Sequence, residues 1–354
     1  MLKQLYPVLL VFLIGLFGSA IATGQSPATD GDPPSFALPI DCELGKSCFV
    51  QNYVDVDPGP GRLDYACGQA TYDGHKGTDF RVLSTKAAAG VHVLAAADGK
   101  VLRGRDGMPD KLVRDYKSKS LMRRAIAGRD CGNGIVVDHG GGWTTQYCHL
   151  KSGSLLVKPG QSVKRGTPLG LVGFSGRADF AHVHLTVRHK DVVIDPFTGR
   201  KQNKSCGIEQ AEKEALGLWQ KGLLAEMRYG KERIIGAGFA GTPPDLKGVE
   251  RDHTVSVPEP ESKALVFYVR MINLRVGDRL RLRLAGPTGF KTLDQTTKPE
   301  KRSRAHKFVY AGRKLKAARW PAGKYTGAVA VIQKAKKGTA DRVVERRKVE
   351  FTMP

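Results

Sequence analysis

The sequence predicts a mainly β chain of two domains, with the chemistry confined to the first. Three observations lead there. The chain has 354 residues, more than one compact unit usually holds. Short apolar runs punctuated by glycine fill two stretches, one on either side of a helix-like segment. Histidines in suggestive spacing fall in the first stretch, and the second offers no comparable set of metal ligands.

The elements follow in chain order. Lys3 supplies a positive start, Tyr6 to Phe17 is apolar, and Ala20-Ile21-Ala22 offers small residues for cleavage. Residues 1–22 therefore read as a secretory signal peptide, since the apolar run is short for a spanning helix. The competing reading is an uncleaved anchor. Export predicts a periplasmic or secreted protein with no stable membrane insertion after cleavage. Residues 23–40, rich in Gly, Pro, Ser, Thr and Asp, read as a flexible leader.

Residues 41–200 form the first β domain. Its expected strands are Val91–Ala97, Gly134–Val137, Thr144–Leu150, Pro168–Gly173 and His182–Val187. Arg103 to Arg129 interrupts them as a long basic insertion, with Lys111, Arg114, Lys117, Lys119, Arg123 and Arg124. It is either a solvated basic helix or a lid that grips substrate, and the first is preferred. Residues 201–235 read as a helical connector, because Leu216, Trp219, Leu223 and Met227 recur at spacings of three and four. Gly236 to Pro243 reads as a joint. Residues 236–354 then alternate as strands at Ala264–Asn273, Arg279–Leu284, Ala305–Tyr310, Gly327–Gln333 and Val343–Thr352. That pattern suggests a small immunoglobulin-like sandwich.

Six cysteines, even in number and without a CxxC pair, read as disulfides in an exported protein. Cys131 and Cys148 flank an apparent hairpin turning at Gly140-Gly141-Gly142 and are expected to pair. Cys42, Cys48, Cys67 and Cys206 allow three pairings. The formal net charge of +23 favours anionic partners such as cell-wall polymers. Export argues against nucleic acid.

Among nine histidines, His92, His139, His189, His253 and His306 read as structural. Four others stand in telling company. His75 lies four residues before Asp79, His149 ends a strand after Tyr147-Cys148, and His182 and His184 flank Val183. Alternate residues of a strand project from one face, so His182 and His184 reach one cavity while Val183 points into the core. By the same rule Cys148 faces away from His149, as suits a disulfide. Two neutral imidazoles and a carboxylate are a set that zinc accepts, with a fourth position left for water. No HExxH and no GxSxG occurs, which removes the thermolysin-type and α/β-hydrolase signatures.

The run from Gly74 to Leu185 resembles the lysostaphin/LytM-like zinc endopeptidases, the murein hydrolase family. The likeness lies in an ordered series. It starts at His75-Lys76-Gly77-Thr78-Asp79 and continues through Ala95 to Val101, Gly132 to Gly140, Tyr147 to Leu150 and Val163 to Gly170. It ends at His182-Val183-His184. The resemblance implies a LytM/lysostaphin-type β-sheet peptidase domain, of duplicated hybrid motif type, that cuts peptide bonds in peptidoglycan. It implies one zinc ion per chain on His75, Asp79 and His184, with His149 and His182 as catalytic imidazoles. The rival expectation is a catalytically silent wall-binding scaffold or an activator of another murein hydrolase. All five positions are filled, which favours the enzyme. Leu185-Thr186 stands where the family often has Phe and an acidic residue. Ser175 to Ala181 lacks the usual small, glycine-containing approach to the first histidine. Both departures bear on substrate preference.

Overall fold

A computed structural model describes residues 31–85, 87–202, 206, 217–227, 229–230, 233–251, 255–335 and 340–354. The expected signal peptide, the start of the leader and His253 lie outside the described residues. So do parts of the connector, Leu216 among them. No described helix is long and apolar enough to cross a membrane.

The first domain contains strands β1 (Cys48–Asn52), β2 (Thr78–Val82), β3 (His92–Leu94), β4 (Gly99–Arg105) and β5 (Asn133–Asp138). They are followed by β6 (Trp143–Leu150), β7 (Ser162–Val163), β8 (Pro168–Leu171), β9 (His182–His189), β10 (Val192–Asp195) and β11 (Arg200–Lys201). Nine of them make one sheet in the order β1-β2-β9-β6-β5-β4-β7, with β10 joined to β9 and β11 to β10. β3 and β8 form a separate pair. Every strand pairing is antiparallel; β5–β6 and β9–β10 are hairpins, while β9 joins β2 and β6 from far along the chain. Val183, Leu185 and Val187 of β9 are buried with Phe80, Ile135, Val137 and Tyr147 in one apolar core. The opposite face of β2 and β9 is thereby free to carry polar side chains.

Three expectations need correction here. Part of the leader belongs to the core: Phe36 is buried and bridges Trp219, and Ile40 is buried and bridges Val93. A polar, proline-rich context concealed two apolar anchors. In the described part of the connector only Leu223–Glu226 is helical. Trp219 sits in an extended stretch packed among Phe36, Phe80 and Phe197. The expected joint at Gly236–Pro243 is largely a strand, β12 (Ile234–Ala240), the first of the second domain. Its glycines sit in a ladder whose hydrogen bonds compensate for their conformational freedom.

The basic insertion divides in two. Its helix, Lys119–Ile126, is N-capped by Ser118 and turns Met122 and Ile126 inward while Arg123 and Arg124 face water. The preceding stretch is anchored instead: Leu112 is buried, and Arg114 donates to the Asp179 carbonyl. The disulfide Cys131–Cys148 is present, and the other pairs are Cys42–Cys48 and Cys67–Cys206.

The second domain adds β13 (Ala264–Leu274), β14 (Arg279–Ala285), β15 (Leu293–Thr296), β16 (Arg304–Lys314), β17 (Gly323–Gln333) and β18 (Arg342–Met353). They form two antiparallel sheets, β12-β13-β16 and β15-β14-β17-β18, around one apolar cluster. β14 shows how sequence makes such a sheet. Leu280, Leu282 and Leu284 are buried, while Arg279, Arg281 and Arg283 alternate outward.

Candidate metal centre and its cleft

Register brings the ligating residues together. β2 pairs with β9 so that Asp79 lies opposite His184 and Arg81 opposite His182. β6 pairs with β9 so that Cys148 lies opposite His184, which leaves His149 one step beyond the ladder. His149 has φ +66°, a left-handed conformation that turns its ring out of the strand alternation. Gly77 is required for a different reason. A side chain there would meet the Leu185 carbonyl at 2.5 Å and the His184 ring at 2.6 Å.

His75, Asp79 and His184 are the one group of three among the described residues that could hold a metal ion, with donor atoms all within 4.8 Å of one another. His75 Nε2 lies 3.2 Å from Asp79 Oδ1 and 3.1 Å from His184 Nδ1, and His184 Nδ1 lies 2.8 Å from the same oxygen. Edges of about 3.3 Å are what a tetrahedral ion with bonds of about 2.0 Å requires. Hydrogen bonds fix the donor atoms. His75 Nδ1 donates to the Tyr53 carbonyl, 2.7 Å away, so its Nε2 carries a lone pair. Asp79 Oδ2 accepts from Asn52 Nδ2 at 2.7 Å, leaving Oδ1 for the centre. His184 Nε2 contacts Thr186 Oγ1 at 3.0 Å, so Thr186 orients the ring where the family often has an acid. These outer contacts match what a metal site needs behind its ligands.

His149 and His182 stand beside this group with ring centroids 4.6 Å apart. Each donates Nδ1–H to a carbonyl at 2.8 Å, His149 to Ser175 and His182 to Phe180, and each therefore keeps a lone pair on Nε2. Burial pushes His182 and His184 below the ordinary histidine range. Burial and the neighbouring His182 and His184 push His149 well below it. For His75 burial acts in the same direction, but the Asp79 charge and hydrogen bond outweigh it and raise the pKa. Burial raises the Asp79 carboxyl, and the surrounding imidazoles, His75 first, more than compensate and hold it well below its usual value. The group thus presents an ionised carboxylate beside three imidazoles that resist protonation, His149, His182 and His184, while His75 holds a proton more firmly through Asp79.

All five expected residues line one cleft of about 820 Å³. The same wall contains residues that spacing did not reveal: Asn52, Arg114, Arg177, Tyr72 and, from the second domain, Ala305 and His306. Tyr72 stacks beside His75 at 4.3 Å, and its exposed ring is half-open to solvent. His306 was expected to be structural. It is no part of the three-residue group, yet it faces the cleft. The other histidines remain apart from the centre: His139 bonds Asp98 and Thr145, and His189 stacks on Trp143.

A β-sheet cleft with a His-Asp-His donor set and two further neutral imidazoles defines a metal-dependent hydrolytic class of site. Residues 73–196 match the sequence profile of Peptidase family M23, so this chain carries a domain of that family. The chain is 30% identical over 140 residues to an uncharacterized metalloprotease of Haemophilus influenzae, covering 40% of this chain and 24% of that protein. It is 31% identical over 121 residues to the peptidoglycan DD-endopeptidase ShyB of Vibrio cholerae, covering 34% of this chain and 22% of that one. The catalytic domain of lysostaphin from Staphylococcus simulans aligns at 21% identity and a TM-score of 0.26, covering 41% of this chain and 86% of that one. The chain spans about a quarter or less of the length of the two relatives, and the second domain lies outside the matched family region.

Proposed function

We propose that this chain is an exported zinc metalloendopeptidase that hydrolyses peptide bonds of peptidoglycan, at stem-peptide cross-links or bridges. Residues 41–200 are the peptidase domain and 236–354 an accessory sandwich. The observation that carries the reading is the convergence of His75 Nε2, Asp79 Oδ1 and His184 Nδ1 beside two imidazoles with free Nε2 lone pairs. The family match and the peptidoglycan endopeptidases among the relatives supply the substrate class.

His75, Asp79 and His184 are the ligands in this reading, with one zinc ion per chain. Bound zinc supplies Lewis acidity, acidifying water and polarising a carbonyl. The chain's own residues do the rest. His149 and His182, both neutral at physiological pH, accept a proton at Nε2 and return it to the leaving amine. The imidazolium formed by taking the water's proton donates that proton's hydrogen bond to the developing oxyanion before passing it to the leaving amine. Asn52 and Thr186 hold Asp79 and His184 in position. The basic surface, from a net charge of +23, draws the chain to anionic cell-wall polymers.

Purified sacculi incubated with the protein test this directly. Mass spectrometry of the released material should show new peptide termini with wild type and none with Asp79→Ala. Intact sacculi after wild-type treatment, with zinc bound, would identify the chain as a silent scaffold instead.

A further inference from the structure

Where the second domain meets the cleft, charges are gathered that the metal centre does not use. Glu250, on the short helix Leu246–Arg251, is buried between the domains. It pairs with Arg81 of β2, two residues from Asp79, and with Arg270 of β13 at 3.1 Å. His306 Nε2 of β16 lies 3.6 Å from the same carboxylate. Arg81 and Arg270 are 0% and 4% exposed. Arg114 stands close enough to act on both Arg81 and His306. One carboxylate therefore serves two guanidinium groups, Arg81 and Arg270, and Arg114 adds a third positive charge nearby.

The donors outnumber their acceptors. Arg81 Nε, Arg114 Nε and Arg270 Nε are buried without a hydrogen-bond partner. Buried positive charge in excess is costly unless an anion joins it. Burial first, then Arg81, pushes the His306 imidazole down to about 3, so it stands neutral beside Glu250. Arg114 and His306 line the cleft itself, and Gln51, which accepts from Arg81 Nη1 at 2.8 Å, lines it too. Phe180 lies between the cluster and the centre. Its ring lies 4.6 Å from the Arg81 guanidinium carbon and 4.5 Å from the His182 ring.

The geometry points to an anion subsite at this junction: Arg114 and His306, backed by Arg81 and Arg270, receive a carboxylate group of the peptide substrate one aromatic ring away from His182. The identity of that carboxylate as substrate rests on the peptidase reading. The second domain then acts as a wall of the cleft that selects acidic peptides, because His306 and Arg270 come from it. An inorganic oxyanion such as phosphate has the same chemistry, and only binding experiments distinguish the two sources.

The test uses the full chain with His149→Ala to stop turnover, and a short peptide prepared with a free C-terminal carboxylate or as the carboxamide. Calorimetry should show the acid binding about tenfold or more tighter, the effect of one charge-assisted hydrogen bond. Arg114→Gln should abolish that preference and His306→Gln should weaken it, with melting curves reporting whether each variant is folded. His306→Gln carries the test if Arg114→Gln does not fold. Equal binding of acid and amide, or a preference that survives in both variants, overturns the subsite. Arg114-dependent binding of inorganic phosphate without any peptide preference overturns the substrate assignment. Peptide preference without hydrolysis of sacculi by the unmutated chain would sink the peptidase reading alone, and hydrolysis without preference would sink the subsite alone.

Discussion

The two domains bury different things. The core of the second is apolar: Leu280, Leu282, Leu284, Val329, Val331 and Phe267 fill it, with arginines alternating outward on β14. The first has a comparable apolar core but also buries His75, Asp79, His149, His182, Asp64 and Asp195. The second domain buries charges too, but in ion pairs: Asp278 with Arg233, Arg270 with Glu250, and Glu300 with Arg304 and Lys307. Buried polar groups cost free energy unless satisfied, so the imidazoles gathered around Asp79 mark where stability was given up for chemistry. Substitutions should therefore separate the domains by what they damage.

The largest effect falls on the centre. Asp79→Ala should lose bound metal and lower turnover by about a thousandfold or more, since a ligand and its charge both disappear. Metal analysis and activity on sacculi measure the two losses. Full metal occupancy in that variant would contradict the ligand set. Glu250→Gln comes next, because it leaves Arg81 and Arg270 facing each other in the buried joint. Removing one partner of a buried ion pair costs about 3–5 kcal/mol. Chemical denaturation should show that loss, and a change below about 1 kcal/mol would mean the joint is solvated.

Leu282→Ala should cost about 2–5 kcal/mol through the cavity it leaves, with activity per folded molecule unchanged. Loss of activity without loss of stability would break the division between domains. Opening Cys131–Cys148 by paired serine substitution should cost about 3 kcal/mol, as expected for a closed loop of this size. It should also lower activity, because the Cys131 carbonyl accepts from the His149 amide.

The smallest effect is pH-dependent. Burial lifts the Asp195 carboxyl to about 7, against the hydrogen bonds it accepts from Phe197 and Thr198. A carboxyl whose folded pKa lies above its unfolded value binds protons more tightly when folded. Stability is then full at acid pH and falls as pH rises from about 4 through about 7. Asp195→Asn removes that dependence, so the variant should gain on wild type by about 1 kcal/mol or more between pH 5 and pH 8. Parallel curves for the two proteins would show that Asp195 stays ionised when folded.

The legible part of the site was the part written locally. HxxxD at His75–Asp79 and HxH at His182–His184 are short-range patterns, and alternation along a strand places His184 on the cleft side and Val183 in the core. The five residues then follow as one cluster in the structure. Asn52, Tyr72, Arg114 and His306 carried no such mark. Asn52 is a lone amide whose partner Asp79 is 27 positions away, and His306 reaches the cleft only because a second domain docks there. Phe36 and Ile40 were hidden by the polar residues around them. The connector misled for the opposite reason: Leu218 and Trp219 are buried from an extended stretch by packing against Phe36, Phe80 and Phe197, so their apolar character did not require a helix face.

Side-chain periodicity along the chain was enough to predict a β-rich protein and its run of alternating strands after the connector, and the glycine turn between Cys131 and Cys148 was enough to pair them; the five cleft residues were singled out by ordered motifs and the family resemblance those motifs carry. Those properties depend on neighbours within a few residues, where backbone geometry dictates which way each side chain points. Tertiary structure alone decided that His75 and His184, separated by 109 positions, present lone pairs 3.1 Å apart. It also decided that Glu250 meets Arg81 across 169 positions, and that the sandwich supplies a wall of the cleft. Distances of that kind come from strand register and domain docking, which sum many weak contacts that no local pattern records.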